Sequence, residues 1–223
     1  MFPIPAQWRG HLHHLVLLVP LVLPVWWLLH SNGTAIGYRT GDLVGHVWVI
    51  WSGAESWPAD PTFSHWIGWP YGTDLLTFFG GWGHTFVGVL MVVALDIPPA
   101  EAYSIALCAW LALCGLGGHF LALAMGASLP GRLVGGLLLQ LDGLVLYHAT
   151  EGRPEHAGIG VAALAMAGAV SLWRGKGGTR MALATGVAGA LCLVVGWEVG
   201  LWLAVTMALL SPFFWWSGRV ASS

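Results

Sequence analysis

Long apolar stretches, separated by short polar segments, are the feature that most constrains this chain. Of its 223 residues 57% are hydrophobic and 8% are charged, whereas a soluble domain carries about 25% charged residues. A helix that crosses a membrane needs roughly 20 mostly apolar residues. Stretches close to that length occur at 12–29, 75–95, 101–125, 131–148, 157–173, 181–197 and 199–216. The sequence therefore predicts an all-α fold, a polytopic transmembrane helix bundle.

The segment 42–57 has a helical pattern but is short and contains Asp42, His46 and Glu55. It predicts a helix that lies at the membrane interface. The segment 75–95 is longer, but it follows Asp74 and contains Gly80–Gly81–Trp82–Gly83–His84. We interpret it as a second juxtamembrane helix.

Charge distribution predicts how the bundle is oriented. Arg174, Lys176 and Arg180 crowd one short loop, which the positive-inside rule places in the cytoplasm. Counting spans back from this loop places 148–156 outside. With both juxtamembrane helices on the outer surface, nine of the ten acidic residues lie on or near the outer face. The orientation is unchanged if both segments instead cross the membrane.

The predicted layout is a single membrane domain over residues 1–223. Segment 12–29 is the first span, 30–100 an outer loop holding helices 42–57 and 75–95, and 101–216 five further spans. This gives about six spans with both termini in the cytoplasm, as expected for a protein of the bacterial inner membrane. Small residues at helical spacing, such as Gly131 with Gly135, predict close packing between helices.

Two predicted outer loops, 41–76 and 146–158, place reactive side chains on one membrane face. These are Asp42, His46, Glu55, His65, Glu151, Arg153, Glu155 and His156. Carboxylates can act as general bases on a hydroxyl group or bind a divalent cation that neutralises a diphosphate. An arginine can bind a phosphate. The same residues are also consistent with ordinary solvated loop charges, and an acid at a helix N-terminus is favoured electrostatically.

The order of these features resembles a known family. A first span is followed by Gly41–Asp42, by Trp48 and Trp51 on the next helix, by Pro70–Tyr71–Gly72–Thr73 and an apolar helix, and later by an acidic outer loop. This order resembles the N-terminal module of the polytopic GT-C glycosyltransferases. In that superfamily the first outer loop holds two juxtamembrane helices and a catalytic Asp, and the donors are polyprenyl-phosphate or polyprenyl-diphosphate sugars.

The resemblance implies sugar transfer from a polyprenyl-phosphate donor at the non-cytoplasmic face. It implies that Asp42 is the catalytic base or a metal ligand, and that Glu151 and Glu155 belong to a second acidic motif. Asp42, Glu151 and Glu155 would then bind Mg²⁺ or Mn²⁺, and Arg153 and His156 the donor phosphate. Many members carry a paired acid where this chain has Leu43, and most are more than twice as long. The alternative is a non-catalytic membrane subunit of a larger complex that keeps a GT-C-like fold.

The histidines and Asp142 also suggest other functions. Ten histidines suggest haem, but bis-His haem needs two imidazoles on facing helices and only His119 lies well inside a predicted span, so haem is not expected. A surface metal site built from the outer histidines stays open.

Asp142, inside the predicted span 131–148 and close to Gln140, would suit a proton or ion relay. A net charge of −2 does not suggest a nucleic-acid partner; membrane lipid and partner membrane subunits are the expected partners.

Overall fold

The computed structural model of the protein describes residues 35–37, 42–64, 71–74 and 83–221. The predicted first span 12–29, His65 and the first part of the segment 75–95 lie outside the described residues. The described chain is mostly helical. Its helices are α1 (Leu43–Glu55), α2 (Gly83–Leu95), α3 (Pro99–Ala124), α4 (Leu129–Gln140), α5 (Gly143–Thr150), a 3₁₀ helix (Pro154–Gly158), α6 (Ile159–Trp173), α7 (Thr179–Val195) and α8 (Trp197–Ala221). Between α1 and α2, the two-residue strands β1 (Phe63–Ser64) and β2 (Thr73–Asp74) pair antiparallel.

The predicted all-α class is confirmed for the described residues. Within the described residues, two segments are long and apolar enough to cross a membrane: Pro99–Ala124, which is α3, and Leu129–Thr150, which comprises α4 and α5. The other apolar helices, α2, α6, α7 and the Trp197–Pro212 part of α8, are shorter. The number of six spans stays a prediction.

Helix α3 lies at the centre of the bundle, and glycines allow its neighbours to approach its backbone. A Cβ atom on Gly118 would meet the carbonyl oxygen of Gly135 on α4, and one on Gly160 of α6 would meet the backbone of Cys114. Tyr103, Leu107 and Leu111 of α3 are fully buried. Close backbone contact of this kind is how helices pack where no hydrophobic effect drives them together.

Asp142 divides the predicted span 131–148 into two helices. Its Oδ1 accepts the backbone N–H groups of Leu144 and Val145 at 3.0 and 3.2 Å, so that it caps the N-terminus of α5. An aspartate favours this position because it satisfies N–H groups that have no partner within the helix. Gln140 donates its side-chain N–H to the carbonyl of Leu111 at 3.2 Å. The sequence predicts one continuous helix around Asp142, but in the structure Asp142 lies at a break between α4 and α5. These contacts give Asp142 and Gln140 a structural role.

Helix α1, the first predicted juxtamembrane helix, packs on the end of the bundle formed by α2 and α3. Val49 and Ile50 are fully buried, and a Cβ atom on Gly88 of α2 would clash with Ile50. Upstream of α1, the backbone N–H of Ile36 donates to Ser104 Oγ of α3 at 3.0 Å. These contacts fix the position of Asp42, which precedes α1.

Candidate functional site

Asp42 lies against the turn that follows α5, although 109 residues separate it from Glu151 in the sequence. Its backbone N–H donates to the carbonyl of Glu151 at 3.1 Å, and Arg153 Nε donates to Asp42 Oδ2 at 2.8 Å. Gly152 has a φ of 80°, a conformation that suits glycine, and its Cα packs on the backbone of Leu43. The structure thus brings Asp42 and Arg153 together, in agreement with the prediction that both lie on the same membrane face.

The ion pair between Asp42 and Arg153 is accessible to a ligand. The Arg153 and Asp42 side chains are 50% and 56% exposed. An ion pair in contact with solvent contributes about 0–1 kcal/mol, so opening it costs little. Either side chain can therefore exchange its partner for another group at a small free-energy cost.

The predicted metal ligands do not form a cluster within the part of the chain that the structure describes. Glu151 is half-buried at the C-terminus of α5, and the side chain of Glu155 lies outside the described residues. Among the described residues, no group of three His, Cys, Asp or Glu side chains is placed to share a metal ion. Arg153 Nε contacts Oδ2 of the Asp42 carboxylate. Glu55, at the far end of the 13-residue helix α1, is roughly 20 Å along the axis from Asp42. The Mg²⁺ or Mn²⁺ site stays a prediction.

His156 lies beside His148, another of the predicted outer histidines. The rings of His148 and His156 stack with centroids 3.7 Å apart and planes 9° apart, and His156 Nε2 is 3.9 Å from Glu198 Oε2 of α8. Burial lowers the pKa of His156, and the neighbouring ring of His148 acts in the same direction while Glu198 opposes it. His156 is therefore neutral at pH 7 and can donate a hydrogen bond from one ring nitrogen and accept one at the other.

These two histidines and Glu198 are the ionisable residues that line a mostly apolar cavity. The cavity has a volume of about 540 Å³ and lies mainly between α5, α6 and α8, with Leu144, Met166 and Leu203 among its lining residues. It extends along α8 from Glu198 to Thr206, which is roughly 12 Å of helix. A concave, mostly apolar space with a few polar groups is typical of a ligand site. The sequence signal for it, the spacing of His148 and His156 across the turn, is weak without the fold.

A second histidine pair is buried behind Asp42. His84 Nε2 and His46 Nδ1 are 3.0 Å apart, and Thr85 Oγ1 is 3.1 Å from the same His84 nitrogen. Both imidazoles are at most 3% exposed. Burial lowers the pKa of His46 to about 4, although Asp42 acts in the opposite direction. Both are predicted outer histidines, but the structure buries the pair in the packed interface of α1 and α2.

Comparison with protein-family models, with curated proteins and with solved structures finds no match for this chain. The resemblance to the GT-C superfamily therefore rests on the residues quoted for it. In the structure, Asp42 and the turn 151–153 share one end of the helical bundle.

Proposed function

We propose that the protein is an integral membrane protein of GT-C-like type, with about six spans, that transfers a sugar from a polyprenyl-phosphate donor at the non-cytoplasmic face. The observation that carries this proposal is the accessible pair of Asp42 and Arg153 next to His156. A carboxylate base and a phosphate-binding cation are then adjacent at the end of an apolar bundle, where a lipid-linked donor would present its headgroup.

Exposed apolar side chains support the membrane location. Along α7 and α8, Leu183, Val187, Leu201, Trp202 and Leu209 are each between 53% and 74% exposed. Single exposed apolar side chains are normal in water, but extended apolar surfaces mark contact with lipid or with another protein. Lipid chains covering α7 and α8 would account for this surface together with the low charge content of the chain.

The proposed reaction begins when the donor phosphate takes Arg153 from Asp42. His156 donates a hydrogen bond to the same phosphate, and the freed Asp42 carboxylate accepts the proton of an acceptor hydroxyl. The hydroxyl oxygen attacks the anomeric carbon, the bond from that carbon to the phosphate oxygen breaks, and polyprenyl phosphate leaves with the bonding electron pair.

The test is the substitution Asp42→Asn in membranes that contain the full chain. Release of polyprenyl phosphate from a panel of polyprenyl-phosphate sugars is expected to fall by roughly 10²-fold or more, as for loss of a general base. Asp96→Asn is the matched control, since Asp96 is exposed, outside the site, and at a positive φ that Asn tolerates. Unchanged turnover in Asp42→Asn, with unchanged melting temperature, would remove Asp42 from the reaction.

A non-catalytic subunit is the second candidate function. It is favoured by the ion pair between Arg153 and the Asp42 carboxylate. In a non-catalytic subunit this ion pair would join the N-terminus of α1 to the turn after α5. On this alternative the apolar surface of α7 and α8 contacts a partner subunit. Stable co-purification of one partner with both wild type and Asp42→Asn, together with no donor turnover in either, would support the subunit over the transferase.

A further inference from the structure

We infer that the cavity between α5, α6 and α8 binds a lipophilic organic cation, whose positive charge lies between the Glu198 carboxylate and the indole ring of Trp202. The ligand class is a monovalent ammonium or phosphonium ion that carries bulky apolar substituents. This inference goes beyond the proposed sugar transfer and does not rest on it, because neither residue takes part in that reaction.

Glu198 places a negative charge in a cavity whose lining is mostly apolar. Its side chain is 57% exposed, and its ion-pair contact within the described residues is with His156 Nε2 at 3.9 Å. His156 is neutral at pH 7, so this contact does not neutralise the carboxylate. A charge among apolar groups is stable when a counter-charge compensates for its lost hydration. A cationic ligand would supply that counter-charge.

The position of Glu198 also opposes the binding of an anion. Glu198 lies in the first turn of α8, where the helix dipole favours a negatively charged side chain. Among the described residues, no lysine or arginine lines the cavity. An anion would therefore be repelled by the carboxylate, whereas a cation of the same shape would be attracted. The lining thus discriminates by the sign of the ligand charge.

Trp202 supplies a second group that attracts an organic cation. It lies four residues after Glu198 on α8 and lines the same cavity, and residues at this spacing share one face of a helix. Trp202 is 71% exposed, so its ring is available to a ligand. The face of an indole ring attracts organic cations more strongly than the other aromatic side chains do. A carboxylate and an indole on successive turns therefore favour an ammonium or phosphonium ion.

The other walls of the cavity favour a bulky, apolar cation. Leu121, Leu139 and Met166 are among the lining residues, and the volume is about 540 Å³, within the range of about 300–1,000 Å³ that is typical of sites for small organic ligands. A small inorganic cation would lose its hydration here, and apolar walls offer no polar atoms to replace it. Hydrocarbon substituents instead gain from burial against these walls.

The first experiment compares tetraphenylphosphonium with tetraphenylborate, two ions of nearly the same size and shape and of opposite charge. Their binding to the full chain in an uncharged detergent, at pH 7.5 and low ionic strength, is measured by equilibrium dialysis with protein-free micelles as the blank. We expect the phosphonium ion to bind at least tenfold more tightly than the borate ion. Equal affinities, or tighter binding of the borate ion, would overturn the inference.

Glu198→Gln tests the carboxylate. It is expected to weaken tetraphenylphosphonium binding by tenfold or more, because the counter-charge is removed. Glu101→Gln is the matched control, since Glu101 also lies in the first turn of a helix, α3, but does not line the cavity. Wild-type affinity in this control would separate a local contact from the net charge of the protein. A folded Glu198→Gln variant that binds the phosphonium ion as wild type would contradict the proposed site.

Trp202→Leu tests the aromatic ring. The leucine keeps the wall apolar but removes the ring face, and tetraphenylphosphonium is expected to bind about fivefold more weakly. Trp51→Leu on α1 is the matched control, because Trp51 is 41% exposed and does not line the cavity. Unchanged affinity in Trp202→Leu would show that the positive charge does not lie at the indole.

A cavity-filling substitution locates the body of the ligand. Ala162→Phe fills the cavity from α6 and is expected to weaken tetraphenylphosphonium binding by tenfold or more. Ala184→Phe is the matched control, the same substitution at an exposed position of α7 that does not line the cavity. If Ala162→Phe does not fold, Thr206→Phe on α8 fills the same space. A folded cavity-filling variant with unchanged affinity would place the ligand elsewhere.

A membrane lipid with an ammonium headgroup is a competing source of the same charge. An excess of phosphatidylethanolamine is expected to leave tetraphenylphosphonium bound, because its phosphate would be repelled by Glu198. Displacement of the phosphonium ion by this lipid would assign the cavity to a lipid headgroup and overturn the inference.

Asp42→Asn separates this inference from the proposed function. The variant is expected to bind tetraphenylphosphonium as wild type, because Asp42 does not line the cavity. Cation binding by a protein without transferase activity would leave the inference intact and remove the proposed function. Sugar transfer by a protein that binds the two ions equally would do the reverse.

Discussion

Arg153 binds either the Asp42 carboxylate or, as proposed, a donor phosphate, and its substitution distinguishes these roles. We predict that Arg153→Gln raises the KM for the donor about tenfold or more, because a charge-assisted hydrogen bond contributes about 1.5–3 kcal/mol. The melting temperature should change little, since the pair with Asp42 is half-exposed. Arg180→Gln, in the first turn of α7 at the opposite end of the bundle, is the control. A large loss of stability with an unchanged KM would make Arg153 a structural residue.

His46 gives a prediction about pH and stability. Its pKa is about 4 in the folded protein and about 6.5 when unfolded. Between these values the unfolded chain binds more protons, so the contribution of neutral His46 is fully present above pH 6.5 and is lost as the pH falls towards 4. The loss amounts to about 3 kcal/mol.

The measurement is thermal unfolding in detergent at pH 7.5, 5.5 and 4.5 for wild type and His46→Gln. The variant is expected to be less stable at pH 7.5, because it alters a buried pair, and to lose less stability on acidification. A difference between the two proteins that is constant over this pH range would contradict the low pKa of His46 in the folded state.

At the scale of elements, apolar length and charge placement predict most of the helices. The predicted segments 101–125, 157–173 and 181–197 agree with α3, α6 and α7 to within two residues at each end. The break at Asp142 could not be predicted, because the apolar residues on both sides of Asp142 are compatible with one continuous helix and also with two helices separated by a capping aspartate. The buried pair of His46 and His84 depends on how α1 packs on α2, which neither segment specifies alone.

Glycine packing of α3 provides a prediction for element contacts. Gly118→Ala is expected to lower the free energy of unfolding by about 1–3 kcal/mol, because the new methyl group would meet the Gly135 carbonyl. Gly186→Ala on α7 is the matched control, since nothing lies within 4 Å of its Cβ position and alanine favours the helix. Thermal unfolding of both variants measures the difference. Equal melting temperatures would contradict the close approach of α3 and α4.

For the molecule as a whole, the candidate site could be predicted only in part. The positive-inside rule and the count of predicted spans place Asp42 and the 151–156 loop on one membrane face without any knowledge of contacts. In the structure, Arg153 joins them. The cavity and its residues His148 and Glu198 could not be predicted, because they come together from α5 and α8, which are far apart in sequence. The positive charges of the 174–180 segment also predict the direction of the whole bundle across the membrane.

Orientation is tested by the reactivity of introduced cysteines in spheroplasts. Asp60→Cys, in the predicted outer loop, is expected to react with a membrane-impermeant maleimide at once, whereas Lys176→Cys should react only after the membrane is permeabilised. Both positions are exposed, and the native Cys108, Cys114 and Cys192 are buried, so their background reaction should be low. If Lys176→Cys is labelled in intact spheroplasts and Asp60→Cys is not, the bundle has the opposite orientation in the membrane. Asp42 and Arg153 would then face the cytoplasm, where a donor at the non-cytoplasmic face could not reach them.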